Sequence, residues 1–219
     1  MHFLPQSGSR DCFPACFCNA LRFYGVPITV SLQKRLDIFT TGIESSTVYE
    51  VEERLEFYER SIHKFMAEWT WAQRCRADTE GIYNKPEAWA RELLENGIAL
   101  ELRNGPIEQQ SLVMAELSRG SVVVCEVWVP RQDVHGSASR HFILILGVEA
   151  DQLLMHDPLV KEGWLPCTCA EAVLKTNKNG ANVAIDREYF FSAIIGPLKP
   201  KPNPYQTDYK DKFLLVSKH

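Results

Sequence analysis

The chain has 219 residues, 45% of them hydrophobic and 24% charged, which is the composition of an ordinary globular protein that can bury a core without disulfides. A formal net charge of −4 without a run of Lys or Arg argues against nucleic acid or an anionic membrane as the main partner. No apolar stretch is long enough to span a membrane, and the N-terminal residues lack the pattern of a signal peptide. We therefore expect synthesis in the cytoplasm, with specialised export left open.

The N-terminal part of the chain is predicted to be helical. Apolar residues follow Pro14 at helical spacing, which predicts a helix that starts just after Cys12 and ends at Gly25. Further helices are predicted around residues 31–39, over about 45–76 and over 84–97, the last ending at Gly97. The charged segment 45–85 is interpreted as an insertion.

The remaining sequence is dominated by short aliphatic and β-branched runs that are typical of strands. Strands are predicted at 98–103, 121–129, 141–149, 152–157 and 187–196, and helices at 106–120 and 169–176. The Pro- and Lys-rich tail, 199–219, is predicted to be irregular. Helices followed by mostly antiparallel strands indicate an α+β fold, in which a helical half packs against a sheet half in one domain, 1–198.

Cys12 is the strongest candidate for a nucleophile. It lies at the start of a predicted helix, where the helix dipole and unpaired N–H groups favour a thiolate. Cys16 and Cys18 lie inside that helix and are interpreted as packing residues. Cys75 and Cys125 are isolated, and the sequence around Cys125 indicates a buried core position.

His141 and Asp157 are the predicted partners of this thiol. His141 begins one predicted strand, and Asp157 ends the next, with a turn near Ala150 and Asp151. In an antiparallel hairpin the start of one strand lies beside the end of its partner, so the two side chains should meet. An imidazole held by a carboxylate is the base that a cysteine nucleophile requires. His156, next to Asp157, remains an alternative base, whereas His63 and His135 have no supporting pattern.

Acyl transfer also requires donors for the oxyanion that forms on the carbonyl oxygen. The backbone N–H of Cys12 is one candidate donor. Gln6 carries the only amide side chain before Cys12 and is the second. By spacing alone, a solvated polar residue in an N-terminal arm explains Gln6 equally well.

These residues together resemble the bacteriocin-processing, double-glycine leader peptidases, which are papain-like cysteine peptidases. The resemblance lies in Gln6, the motif DCFPAC, the run ALRFYG, the His-Phe pair at 141–142 and the Asp-Pro pair at 157–158, and it covers residues 6–25 and about 97–195. It implies that Cys12 is the nucleophile, His141 the general base, Asp157 the residue that orients it and Gln6 the oxyanion donor. It also implies a peptide or protein substrate and no cofactor.

The sequence departs from the family at Phe13, where the family usually has Gly after the nucleophile. A bulky residue at the helix start is expected to narrow the cleft or shift the substrate. The insertion at 45–85 is longer than the corresponding linker. The chain has no transporter or ATPase segment, so leader processing during export is not implied.

Three other interpretations remain open. A structural zinc site would use the C-x-C pairs Cys16/Cys18 and Cys167/Cys169. This spacing is poor for a metal site, because side chains two positions apart on a helix point to roughly opposite faces. A non-catalytic binding protein on the same fold is a second possibility, but neither the nucleophile nor the base is missing. An acyl transferase, amidase or secreted effector would use the same thiol chemistry. The substrate and the oligomeric state cannot be read from the sequence.

Overall fold

The computed structural model describes residues 3, 5, 12–28, 66–67, 69–70, 73, 88–104, 110–130, 138–160, 172–178, 180–191 and 212–219. The predicted helix at 31–39, most of the insertion at 45–85 and Gln6 lie outside these residues. The chain divides into two units, one formed by Met1–Pro27 with Glu101–Ser217 and the other by Ile28–Leu100 with Lys218–His219. The candidate site lies wholly within the first unit.

A seven-stranded sheet, mostly antiparallel, and a few helices make up the described fold, which is compatible with the predicted α+β class. The strand order is β1-β7-β2-β3-β4-β6-β5. Among the described residues, no helix has the length and apolar character needed to cross a membrane. In chain order the elements are α1 (Cys12–Phe23), α2 (Ala88–Glu95), β1 (Ile98–Asn104), α3 (Gln110–Ser118), β2 (Val122–Pro130), β3 (Ala138–Glu149), β4 (Gln152–His156), β5 (Ala172–Lys178), β6 (Ala181–Asp186), α4 (Arg187–Phe191) and β7 (Lys212–Lys218).

The centre of the sheet is the β2–β3–β4 meander. β2 and β3 are apolar runs that pair antiparallel from Val123↔Ile145 to Pro130↔Ala138. The predicted hairpin between β3 and β4 forms, with Glu149 opposite Gln152 and a turn at Ala150, whose φ is 54°. This hairpin brings the start of β3 beside the end of β4, where the candidate site lies.

One face of the sheet carries the main apolar core together with α3 and α4. Alternate residues of the strands supply it, because successive strand side chains point to opposite faces. Its sheet members are Val123, Cys125, Val127, Ile143, Ile145, Leu153, Met155, Ala172, Val183, Ile185, Phe213 and Leu215. Helix α1 packs against β2 and β3, so the helix that carries Cys12 is fixed to the centre of the sheet.

Helix α1 ends at Phe23, and Gly25 is the stop that the sequence predicted. Gly25 has a φ of +72°, a conformation that glycine adopts without a steric penalty. The N–H of Val26 donates to Leu21 O at 3.0 Å and that of Gly25 to Arg22 O at 2.9 Å, which is the Schellman pattern. The Tyr24 hydroxyl then lies 2.7 Å from Val216 O, which attaches the end of α1 to β7.

In the second unit, α2 occupies the predicted helix at 84–97 and buries Ala90 and Leu93. The Gly97 N–H donates to Leu94 O at 3.0 Å just after the helix ends, so Gly97 is the predicted stop. Trp69, one of the few described residues of the insertion, is buried in this unit.

Two predicted elements have the wrong type. The segment 169–176 was expected to be helical, but its described residues belong to strand β5, which pairs with β6 at the sheet edge. The segment 187–196 was expected to be a strand, but Arg187–Phe191 is a short helix. Asp186 starts that helix by accepting the Tyr189 N–H at 2.7 Å, which is a helix cap. The helix thus follows from a local cap that the strand prediction overlooked, whereas at β5 pairing with β6 outweighs local propensity.

The C-terminal tail is not irregular throughout. Residues Lys212–Lys218 form β7, which lies between the edge strand β1 and β2 and buries Phe213 to Val216. Residues 199–211 lie outside the described part. Strand β6 was not predicted either, although it is the partner of both β4 and β5.

Candidate active site

Cys12 is the first residue of α1 and is 5% exposed. At this position the backbone N–H groups of the first turn have no partners within the helix. The same end of the helix carries the positive end of its dipole. Because α1 packs against β2 and β3, this thiol is held beside the start of β3.

His141 and Asp157 are in direct contact. The Nε2 atom of His141 lies 2.8 Å from Oδ1 of Asp157, and the two residues are 3% and 0% exposed. His141 lies near the start of β3 and Asp157 directly follows β4, so the hairpin register brings them together. A buried carboxylate needs a partner of opposite charge or several hydrogen bonds, and His141 is that partner for Asp157.

The charge on His141 is set by its neighbours. Burial lowers the pKa of His141, but the Asp157 carboxylate, its hydrogen bond and the nearby Cys12 side chain outweigh burial and raise it from 6.5 to about 10. The Cys12 side chain is within hydrogen-bonding reach of the ring. His141 is therefore an imidazolium at neutral pH, between a thiol and a carboxylate.

The turn after β4 holds the Asp157 carboxylate in place. Its Oδ1, which meets His141, also accepts the Leu159 N–H at 2.8 Å. The Asp157 carbonyl accepts the Val160 N–H at 3.1 Å. Pro158 lies between them and restricts the backbone at Asp157 to extended conformations.

Cys16 lies one turn after Cys12 and binds the backbone instead of a side chain. Its Sγ atom donates to Phe142 O at 3.3 Å, and Phe142 directly follows His141. Burial, followed by the charges of Cys12, Asp157, Cys125 and Cys18, raises the pKa of Cys16 well above 9.0. Cys16 therefore stays a neutral thiol.

Phe13, the residue that follows Cys12, is buried in an aromatic cluster. Its ring stacks on Phe17, with centroids 6.1 Å apart, and meets the edge of Phe142 at 5.1 Å. The residue after the candidate nucleophile thus contacts the residue after the candidate base. This contact and the Cys16 hydrogen bond both join α1 to β3 close to Cys12 and His141.

The alternative base, His156, has a different partner. Its Nδ1 lies 3.0 Å from Gly180 O, and its ring meets Phe3 edge to face at 5.2 Å. The Asp157 carboxylate contacts His141. His63 and His135 lie outside the described residues.

The remaining predicted site residues have mixed outcomes. Gln6 lies outside the described residues, as do Cys75, Cys167 and Cys169. Cys18 and Cys125 are buried thiols, and the predicted core position of Cys125 is confirmed. Within the described part of the chain, no group of three or more His, Cys, Asp or Glu side chains is placed to hold a metal ion.

Sequence reasoning missed Asn182, which bonds to the backbone of Asp157 at 2.8 and 2.9 Å. It lies 25 residues along the chain from Asp157. Only the register of β6 against β4 shows this proximity, and β6 was not predicted. An asparagine near a Gly is a common turn signal, so nothing local marked it.

No family model and no curated protein matches the sequence. Among solved structures, the fold is similar to that of a proposed C39-like peptidase from Bacillus anthracis, with a TM-score of 0.44 and 10% identity, over 100% of this chain and 94% of that one.

Proposed function

We propose that this protein is a cysteine peptidase that cleaves peptide or amide bonds with Cys12, His141 and Asp157. The observation that carries the proposal is that His141 lies between the two others: its Nε2 is 2.8 Å from the buried Asp157 carboxylate, and its ring is within hydrogen-bonding reach of Cys12. The α+β architecture and the resemblance of the sequence motifs support a papain-like fold of the bacteriocin-processing type.

The charge arrangement favours a thiolate nucleophile. Asp157 keeps His141 protonated, since the pKa of His141 is raised to about 10 despite burial. The imidazolium and the start of α1 both place positive charge beside Cys12, which stabilises a thiolate. Asp157 occupies Nε2 and so leaves Nδ1 for the sulfur. No metal or organic cofactor is needed for this chemistry.

In the proposed reaction the Cys12 thiolate attacks the substrate carbonyl carbon. The tetrahedral intermediate collapses, the C–N bond breaks, and the His141 imidazolium gives its proton to the leaving amine. His141, now neutral, takes a proton from water as the water attacks the thioester. The C–S bond breaks, the acid product leaves, and the thiolate–imidazolium pair is restored.

The oxyanion is assigned to two donors. The Cys12 backbone N–H at the start of α1 is one, because the first N–H groups of a helix are not used within it. Gln6 is proposed as the other. An oxyanion-hole donor contributes about 3 kcal/mol to catalysis, so Gln6→Ala should lower turnover much more than substrate binding.

Thiol alkylation across pH tests the proposal without knowledge of the substrate. Wild type, His141→Ala and the control His156→Ala are treated with iodoacetamide between about pH 5 and 9, and the modified residue is mapped by mass spectrometry. We expect Cys12 to react first in wild type, to do so below pH 7, and to lose that advantage in His141→Ala. His156→Ala should keep it, because His156 bonds to Gly180 O.

Two results would overturn the peptidase proposal. The first is that Cys12 labels only after denaturation, or at the same rate as the other thiols. The second is that His141→Ala and His156→Ala shift the pH profile equally, which would mean that His141 has no special relation to the thiol. If Cys12 passes this test, a peptide library compared between wild type and Cys12→Ala identifies the cleaved bonds.

A further inference from the structure

The amide of Asn182 is aligned with the backbone of Asp157. The ladder between β4 and β6 runs to Met155↔Val183, and Asn182 is the next residue toward the start of β6. Its Oδ1 accepts the Asp157 N–H at 2.8 Å, and its Nδ2 donates to Asp157 O at 2.9 Å. Only one orientation of the amide satisfies both bonds, because a backbone N–H needs an acceptor and a carbonyl needs a donor.

A side-chain amide has the same donor and acceptor pair as a peptide group. Asn182 therefore pairs with both the N–H and the C=O of Asp157, as the backbone of a neighbouring strand would. It does so one residue beyond the end of the described β4–β6 ladder. Two bonds to the N–H and C=O of one residue fix the peptide planes on both sides of its Cα atom. This restricts the direction in which the Asp157 side chain leaves the backbone.

That direction matters because the Asp157 carboxylate meets His141 at 2.8 Å. We propose that Asn182 is a positioning residue, which orients His141 toward Cys12 by holding the backbone of Asp157. The inference rests on the proposed function, since it assigns Asn182 to the same site. The two Asn182 bonds go to the backbone of Asp157, so in this proposal Asn182 acts through Asp157.

A merely structural role predicts a different result. If the two bonds only stabilise the sheet, their loss lowers the free energy of unfolding and leaves the reactivity of folded Cys12 unchanged. If they position Asp157, the folded protein also loses reactivity, because a misplacement of about 1 Å in a catalytic group can cost about 100-fold.

The main variant is Asn182→Leu, which keeps the approximate volume and removes both hydrogen bonds. The control is Tyr24→Phe, which removes a hydroxyl bonded to Gly120 O and Val216 O in the same unit but away from the candidate site. Urea unfolding gives the stability of each variant. The rate of Cys12 alkylation by iodoacetamide is then measured across pH under conditions where each variant is folded.

We expect Asn182→Leu to lower the Cys12 alkylation rate near neutral pH by about tenfold or more and to change the shape of the pH profile. Tyr24→Phe should show a comparable loss of stability with the wild-type profile. A wild-type profile in Asn182→Leu would overturn the inference, as would a decrease matched by Tyr24→Phe. If wild type itself shows no selective Cys12 reactivity that depends on His141, the proposed function fails instead.

Asn182→Ala keeps the test decisive if the leucine variant does not fold. This variant removes both hydrogen bonds to Asp157 without adding volume or charge. A lower Cys12 reactivity in folded Asn182→Ala therefore indicates lost positioning, and an unchanged or higher reactivity contradicts the inference.

Discussion

Two sets of buried residues in the same unit use the same chemistry in different ways. The row that we propose to be reactive, called the reactive row below, comprises Cys12, His141 and Asp157, whose side chains lie next to one another. The backbone-anchored pair comprises Cys16 and His156, whose side chains contact the carbonyls of Phe142 and Gly180. All five residues are buried, so burial does not distinguish the two sets.

The type of partner makes the difference. A carbonyl accepts a hydrogen bond but carries no net charge, so it holds the Cys16 thiol in place while burial raises the pKa of that thiol well above 9.0. A carboxylate carries charge, so it raises the pKa of His141 to about 10 even though burial acts in the opposite direction. A buried cysteine or histidine is therefore a better candidate for catalysis when its partner is another ionisable side chain than when its partner is a backbone carbonyl.

The two cysteines of α1 give the largest expected contrast. Cys12→Ala should lower peptide hydrolysis by about 1,000-fold or more, because the covalent route is lost. Cys16→Ala should leave hydrolysis by the folded protein within a few-fold of wild type. It should lower the free energy of unfolding by about 1 kcal/mol, through the lost hydrogen bond to Phe142 O and a small cavity.

This contrast is measured as turnover of a peptide that wild type cleaves, normalised to folded protein, alongside urea unfolding of each variant. Cys18→Ala serves as a second control, because Cys18 is also buried in α1. If Cys16→Ala is folded but as inactive as Cys12→Ala, the two sets of residues do not differ in role, since the backbone-anchored pair would then take part in the chemistry.

The pH dependence of stability gives the next largest effect. The pKa of His141 is 6.5 in an ordinary environment and about 10 in the folded protein, so the folded state binds this proton more tightly. The resulting stabilisation is fully present below pH 6.5 and is lost as the pH rises through 10. The stability difference between wild type and His141→Gln should therefore be largest at low pH and shrink across this range.

Urea unfolding at about pH 6, 7.5 and 9 measures this difference. Tyr24→Phe is the matched control, since burial raises the pKa of Tyr24 from 10.0 to about 12 and its hydroxyl stays neutral in the folded protein at these pH values. Its difference from wild type should stay nearly constant. A constant difference for His141→Gln as well would show that His141 is neutral in the folded protein.

The reactive row was accessible from the sequence because its residues lie in strong local patterns. The apolar runs that form β3 and β4, and the turn between them, place His141 beside Asp157. Pro14 and Gly25 delimit the helix that begins at Cys12. The triad roles and the contribution of Gln6 were predicted from spacing and resemblance and remain predictions.

The anchoring contacts were not accessible in the same way. The contacts of Gly180 and Asn182 depend on β6, which was not predicted, and the segment that forms its edge partner β5 was predicted as a helix. Whether such a segment forms a strand depends on long-range pairing, which no short window of sequence contains. Asn182, the Gly180 carbonyl and the packing of Phe3 were missed for that reason.

Substitutions at Gly180, whose carbonyl contacts His156, give the smallest expected effect. Its φ is +94°, and a Cβ atom there would lie 2.3 Å from Cε2 of Phe3. Gly120 has a similar φ of +88° but nothing within 4 Å of a Cβ atom. Gly120→Ala should therefore cost only the backbone strain, about 1 kcal/mol, whereas Gly180→Ala should cost about 1 to 3 kcal/mol more from overpacking.

Urea unfolding of both variants, and of Gly180→Ala combined with Phe3→Leu, separates the two contributions. The smaller side chain should recover part of the packing cost, which a double-mutant cycle reports as a coupling between positions 3 and 180. The Cys12 alkylation rate of folded Gly180→Ala should match wild type, because Gly180 belongs to the anchoring contact with His156. Equal losses of stability in the two glycine variants would mean that Phe3 is not packed on Gly180. If folded Gly180→Ala instead shows a lower Cys12 alkylation rate, the contact between His156 and Gly180 affects the reactive row. The distinction between the two sets of residues would then no longer hold.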